Sequence, residues 1–303
     1  MKVISFIGSL CLCLSLGAKQ LDLKMVSEDS NWIMHLDFES MRSSEIGTFM
    51  EDYLEKIPEM EKKMKDVQDK FGIDLRSLSN LTVFGNGERH KGIGILEGGV
   101  DPVVVSKVTR EREYIEETKA GKKTIFSTNK GKRPMAFSVL KKGKIIFGPD
   151  SDYVSEGILL ANRKADGSKG HSLLLELTNS ISDPGFLLFA DVEQITGYTD
   201  LNSKMSFMAD KVDSCGLVIG DHESSVKMVA FIIAESEEAA INMENMIKGG
   251  LAMMDMKVAK DERMAEIFEG STVLRDKSLI KVDVNLSIIA IIDLIKKEMK
   301  KKV

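Results

Sequence analysis

Short stretches of the chain alternate apolar and polar residues, which is the spacing of a β-strand with one buried face. Between them lie longer stretches in which apolar residues recur every three or four positions, as on one side of an amphipathic helix. The order strand, helix, hairpin, helix occurs twice along the sequence. The pattern therefore predicts an α+β fold of two related units, each a mainly antiparallel sheet covered by helices.

The repeat is clearest where each unit begins. Trp32 opens a stretch that carries Asp37 and Glu39, and Phe186 opens one that carries Asp191 and Glu193 at the same spacing. Residues 81–88 and 216–223 match in a similar way further along. Helices are then predicted at residues 102–112 and 237–248.

Changes in composition suggest where the units begin and end. Residues 1–18 differ from the rest, 26–165 form the first predicted unit, and 185–303 form the second. Residues 166–184 form a polar joint that holds a short apolar helix at 173–177, and the chain breaker Asp183-Pro184-Gly185 lies at its boundary with the second unit.

The first 18 residues have the features of a secretory signal peptide. Lys2 precedes an apolar run at residues 3–16, and the small residues Ser15 and Gly17 favour cleavage near Gly17 or Ala18. A membrane anchor is the alternative, but the run is shorter than the roughly 20 residues that span a bilayer as a helix. We therefore expect a secreted or periplasmic protein with no transmembrane span after cleavage.

Charge and cysteine content narrow the class further. The chain of 303 residues has a formal net charge of −5, from 42 basic and 47 acidic side chains, which excludes a generally basic nucleic-acid binder. Two of the three cysteines lie in the predicted signal peptide. The mature chain would keep only Cys215, so we expect apolar packing and no internal disulfide to stabilise the fold.

One group of residues suggests metal chemistry. His35, Asp37 and Glu39 are spaced two apart, so a continuous strand would place an imidazole and two carboxylates on one face. The alternative is that Asp37 caps the helix that follows. The second copy favours capping, because it keeps the two acids but has Phe189 in place of His35. The sequence indicates no catalytic residue set, no zinc motif and no cofactor.

The largest charge asymmetry lies at residues 119–144, which contain nine basic residues and no acid. If the predicted hairpins present these residues together, they would attract an anionic surface. The alternative is that lysines protect turns and strand edges from aggregation. The candidate residues for anionic-surface contact are Lys122, Lys123, Lys130, Lys132, Arg133, Lys141, Lys142 and Lys144.

A long apolar stripe precedes the first hairpin and is interrupted by Pro58. Its spacing is typical of helices that face a core, and the alternative is the seam of a homodimeric coiled coil. The stripe consists of Ile46, Met50, Tyr53, Ile57, Met60, Met64, Val67 and Phe71.

A strand at residues 145–148 that runs into Pro149-Asp150 and a helix at 153–160, together with the repeated strand and Asp-led helix, resembles uncharacterised secreted bacterial proteins. These proteins are known only as domains of unknown function with duplicated strand-helix-hairpin-helix units. The resemblance implies an α+β fold. It implies no activity and no functional residue.

The sequence favours a secreted or periplasmic, non-catalytic binding or scaffold protein whose partner is an unknown protein or the cell envelope. Two alternatives stay open. One is a protein that binds anionic lipid or polysaccharide at the envelope surface, and the other is a metal-dependent hydrolase that uses His35, Asp37 and Glu39.

Overall fold

The computed structural model describes residues 20–128, 134–195, 210–222, 225–258 and 270–300. The strands are β1 (Trp32–Asp37), β2 (Ile73–Gly85), β3 (Ile93–Val100), β4 (Glu116–Ala120), β5 (Lys123–Thr128), β6 (Met135–Leu140), β7 (Lys144–Gly148), β8 (Pro184–Asp191), β9 (Val212–His222), β10 (Ser225–Ala234), β11 (Thr272–Asp276) and β12 (Leu279–Ser287).

The described residues also form eight α-helices, and several begin at a side chain that caps the first turn. Asp37, Ser44, Asp101 and Asp150 each accept hydrogen bonds from free backbone amides of the helix that follows. The helices are α1 (Phe38–Ser43), α2 (Glu45–Leu54), α3 (Pro58–Phe71), α4 (Pro102–Arg110), α5 (Ser151–Ala161), α6 (Ser172–Thr178), α7 (Glu237–Val258) and α8 (Ile288–Lys300).

All twelve strands belong to one antiparallel sheet in the order β11-β12-β10-β9-β8-β1-β2-β3-β7-β6-β5-β4. The strands of the two predicted units meet where β1 pairs with β8, with Leu36 opposite Phe186 and His35 opposite Leu187. The predicted α+β class with antiparallel strands is therefore confirmed. The two sheets that the sequence predicted are one continuous sheet.

One side of the sheet, called here the core face, carries the main hydrophobic core. Side chains that alternate inward along the strands, among them Ile33, Phe189 and Val218, are almost fully buried. Helices α5 and α6 cover them. Leu173, Leu174 and Leu177 of α6 lie in the predicted joint, so this helix is part of the shared core.

The other side of the sheet, called here the cleft face, is covered in separate parts. Helix α7 packs Ala240 and Met243 against Ile280 and Val282 of β12. It continues through Gly249 and Gly250, where the sequence predicted its end. Helices α1, α2 and α3 lie over the middle of the sheet. None of the helices in the described part of the chain is long and apolar enough to cross a membrane.

Candidate functional site

The candidate site is a cleft on the cleft face, between the middle strands and helices α1 to α3. Its floor is a cross-strand row in which Leu36 of β1 lies opposite Phe186 of β8, and Phe186 lies opposite Ile219 of β9. Residues directly opposite each other in adjacent strands point to the same side of a sheet. The floor is therefore apolar across three strands.

Two capped helices form the first wall of the cleft. Asp37 Oδ1 accepts the backbone N–H groups of Glu39 and Ser40, each at 3.0 Å, and Ser44 Oγ accepts the N–H of Gly47 at 2.8 Å. A Cβ atom at Gly47 would lie 1.9 Å from the carbonyl oxygen of Met41. Glycine is required there because α2 begins against the backbone of α1.

Apolar side chains of three helices face the space above the floor. Helix α3 begins with Pro58 at its first turn, a position that suits proline, and ends at Gly72 in the left-handed conformation. The apolar wall residues are Phe38, Met41, Ile46, Met50, Leu54 and Met64.

The cleft is large and only partly filled by the protein itself. Its volume is about 1450 Å³, above the range of about 300–1,000 Å³ that is usual for small-molecule sites. No residue of α1, α2 or α3 is buried. The stripe that the sequence predicted to face a core is instead half-buried, apart from the exposed Phe71, and its residues Ile46, Met50 and Met64 line the cleft.

The mouth of the cleft carries both signs of charge. Carboxylates come from α1, α2 and the strand ends, and Arg42 and Arg76 are the cationic residues. The Arg42 guanidinium donates to the carbonyl oxygen of Leu78 at 2.7 Å, which fixes α1 against β2. The carboxylates are those of Glu39, Glu51, Asp183 and Asp221.

The three candidate metal ligands are distributed differently from the strand prediction. Strand β1 ends at Asp37, so Glu39 lies on α1 and lines the cleft, while His35 and Asp37 are buried. His35 Nδ1 lies 2.9 Å from Thr82 Oγ1. Asp37 Oδ2 accepts the hydroxyl of Ser40 in addition to the capping bonds. No three His, Cys, Asp or Glu side chains in the described ranges are grouped as metal ligands.

The candidate basic residues are divided among several environments. Lys122, Lys141 and Lys142 are exposed in the β4–β5 and β6–β7 turns, and Lys123 is half-buried. Lys130, Lys132 and Arg133 lie outside the described residues.

Lys144 forms an ion pair with the buried carboxylate of Glu97, so it is not free for an external anion. Its assignment to the anionic surface stays a prediction, and this ion pair is a reason against it. A charge inside the sheet is stabilised by such a partner.

The Glu97–Lys144 pair belongs to a polar row that sequence reasoning missed. Asp37, Asn80, Glu97 and Lys144 lie opposite one another across β1, β2, β3 and β7. Asn80 Nδ2 donates to Glu97 Oε2 at 3.0 Å. A glutamate in an otherwise apolar strand, Ile93–Val100, was the available signal, because a buried carboxylate needs a partner.

Comparison with known proteins supports the fold. No family model matches the chain, and no curated protein matches it. Crystal form III of a protein named TP0453 is similar, with a TM-score of 0.53 and 8% identity over 91% of this chain and 98% of that chain.

Two further crystal forms of TP0453 are also similar at 8% identity. Form IV has a TM-score of 0.50 over 91% of this chain and 97% of that chain, and form I has 0.50 over 93% and 98%. At this level of identity the likeness concerns the fold alone, because unrelated functions share folds.

Proposed function

We propose that the protein is a non-catalytic binding protein that holds an apolar small molecule in the cleft between α1 to α3 and the sheet. The observation that carries the proposal is the combination of an apolar floor with three helices that contain no buried residue. Export from the cytoplasm stays a prediction from the sequence.

The physical argument rests on apolar area that the fold leaves in contact with water. Leu36, Phe186 and Ile219 are only partly buried, as are the α2 side chains Ile46 and Met50 above them. Burying apolar surface is favourable by roughly 25 cal/mol per Å². An apolar ligand would shield both surfaces together, and the volume of the cleft accommodates an extended alkyl chain.

The proposal is tested with decanol, an uncharged amphiphile with one alkyl chain, by equilibrium dialysis. We expect saturable binding at one site per chain. Met50→Gln should weaken it by roughly tenfold, because a loss of about 1.4 kcal/mol corresponds to that factor. Since α2 has no buried residue, the variant should keep the unfolding temperature of the wild type.

Met246→Gln is the matched control. Met246 is also on a helix but is 55% exposed on α7, outside the cleft. This variant should bind decanol like the wild type. No saturable binding, or an equal loss in both variants, would overturn the proposal.

We propose association with an anionic surface as a second candidate function. The supporting observation is that the exposed turn lysines Lys122, Lys141 and Lys142 lie at one end of the sheet. Strands β4 to β7 are consecutive antiparallel neighbours, so their first and third connections share an end. Clustered lysines attract anionic headgroups at moderate salt.

A further inference from the structure

The charged side chains at the mouth of the cleft differ in whether another group of the protein already contacts them. Both arginines are engaged. Arg42 donates to the Leu78 carbonyl oxygen at 2.7 Å, and the Arg76 guanidinium lies 4.0 Å from the carboxylate of Glu55. A carbonyl oxygen is neutral, so Arg42 keeps its positive charge, but four carboxylates against two guanidinium groups leave the lining of the cleft with a net negative charge.

The carboxylates at the mouth have fewer partners within the protein. Asp221 Oδ2 accepts the backbone N–H of Glu45 at 3.3 Å. The side-chain carboxylates of Glu39, Glu51 and Asp183 make no hydrogen bond or ion pair with another residue in the described part of the chain. The cleft therefore presents unpaired negative charge beside an apolar floor.

This arrangement constrains the head of any amphiphile whose chain occupies the floor. An anionic head would meet like charges and lose hydration, whereas a cationic head would gain opposite charges at the mouth. Glu39 lies on α1 and Glu51 lies on α2. The two carboxylates therefore approach the cleft from two helices that also supply its apolar wall.

We infer that the ligand is a cationic amphiphile, with one apolar chain on the Leu36–Phe186–Ile219 floor and an ammonium head beside Glu39, Glu51 and Asp183. This inference rests on the proposed function and specifies the ligand class of the same site.

The test compares three probes with the same ten-carbon chain: decyltrimethylammonium, decanol and decanoate. Binding is measured by equilibrium dialysis at pH 7.5 and low ionic strength, below the aggregation concentration of each probe. We expect decyltrimethylammonium to bind roughly tenfold more tightly than decanoate, with decanol between them, since partly exposed ion pairs each contribute modestly.

A triple variant tests the residues. Glu39→Gln, Glu51→Gln and Asp183→Asn together should bring the affinities for the cationic and anionic probes within about threefold of each other. The matched control is the triple variant Glu113→Gln, Glu176→Gln and Glu193→Gln, whose residues are exposed and outside the cleft. It removes the same net charge and should keep the tenfold preference.

The outcomes separate the two claims. If decanol does not bind, the proposed function fails. If decanol binds but decanoate binds as tightly as decyltrimethylammonium, only the inference about the head fails. If both triple variants lose the preference for the cationic probe equally, the inference about the head also fails. The net charge of the protein would then explain the preference.

Discussion

At the scale of single residues, the least expected feature is an ion pair within the sheet. The side chain of Glu97 is 5% exposed and that of Lys144 is 25% exposed, and Asn80 donates to the same carboxylate. Losing one partner of a buried pair leaves a charge without compensation, whereas losing both can be nearly neutral. The stability of this region therefore depends on the pair as a unit.

We expect Lys144→Met to lower the free energy of unfolding by about 3 kcal/mol, at the lower end for such pairs because Lys144 is partly exposed. Adding Glu97→Gln should recover most of the loss. Urea unfolding measures both effects. Lys141→Met, in the exposed turn nearby, should change stability by less than about 0.5 kcal/mol. Equal losses for Lys141→Met and Lys144→Met would contradict the structure.

The burial of Cys215 leads to a second prediction at this scale. Burial raises the pKa of its thiol. The thiolate is the reactive form, so less of it is present at a given pH than in a free thiol. We expect iodoacetamide to modify Cys215 more slowly than glutathione at pH 8, and at a rate similar to glutathione in denaturing urea. Equal rates in the folded protein would be inconsistent with this burial.

At the scale of elements, α1 and α2 meet so closely that one position tolerates only glycine. Helix α1 begins at the Asp37 cap and ends at Ser43, and Ser44 caps α2 directly afterwards. A Cβ atom at Gly47 would also lie 2.9 Å from the carbonyl oxygen of Arg42. The corner between these helices therefore sets the position of the cleft wall.

Gly47→Ala should destabilise the protein by about 1–3 kcal/mol, because the added methyl group forces the two helices apart. It should also weaken decanol binding. Gly249→Ala is the control, and we expect it to change stability in the opposite direction. Gly249 lies within α7 with open space around it, so alanine should stabilise the helix by about 0.5–1 kcal/mol. Thermal unfolding distinguishes the two, and a neutral Gly47→Ala would refute the close approach.

At the scale of the whole molecule, the cleft and the turn lysines lie at the same end of the sheet. Strand β1 ends at Asp37 in the row that also contains Lys144, and Lys144 follows the β6–β7 turn. Strands β2, β3 and β7 lie between β1 and β6, so the two proposed sites share an end of the sheet but are several strands apart.

If the turns contact anionic surfaces, the protein should sediment with vesicles that contain phosphatidylglycerol and remain in solution with phosphatidylcholine alone. Replacing Lys122, Lys141 and Lys142 with glutamine should weaken association about a hundredfold at low salt, at about 1 kcal/mol per lysine. As a control, replacing Lys107, Lys164 and Lys277 with glutamine removes the same amount of positive charge. This variant should weaken association with the vesicles less. Association that does not depend on salt would contradict an electrostatic contact.

Much of the local structure could be predicted from sequence because its causes lie within a few residues. The Asp37 cap, the short helix at residues 173–177 and the start of α4 at Pro102 all follow from side-chain spacing and cap chemistry. The predicted end of α7 near Gly249 and Gly250 was wrong, because the helix continues to Val258. Glycine lowers the stability of a helix but does not by itself end one. The duplication of two units stays a prediction.

The sequence by itself determined where the elements begin and which side chains alternate along them, because capping and periodicity are short-range properties of the backbone. Only the tertiary structure decided that β1 pairs with β8 and makes one sheet, that Glu97 finds Lys144, and that the Ile46–Met50 side of α2 faces a cleft. Those outcomes depend on contacts between residues far apart in the chain, and many pairings satisfy the same local pattern.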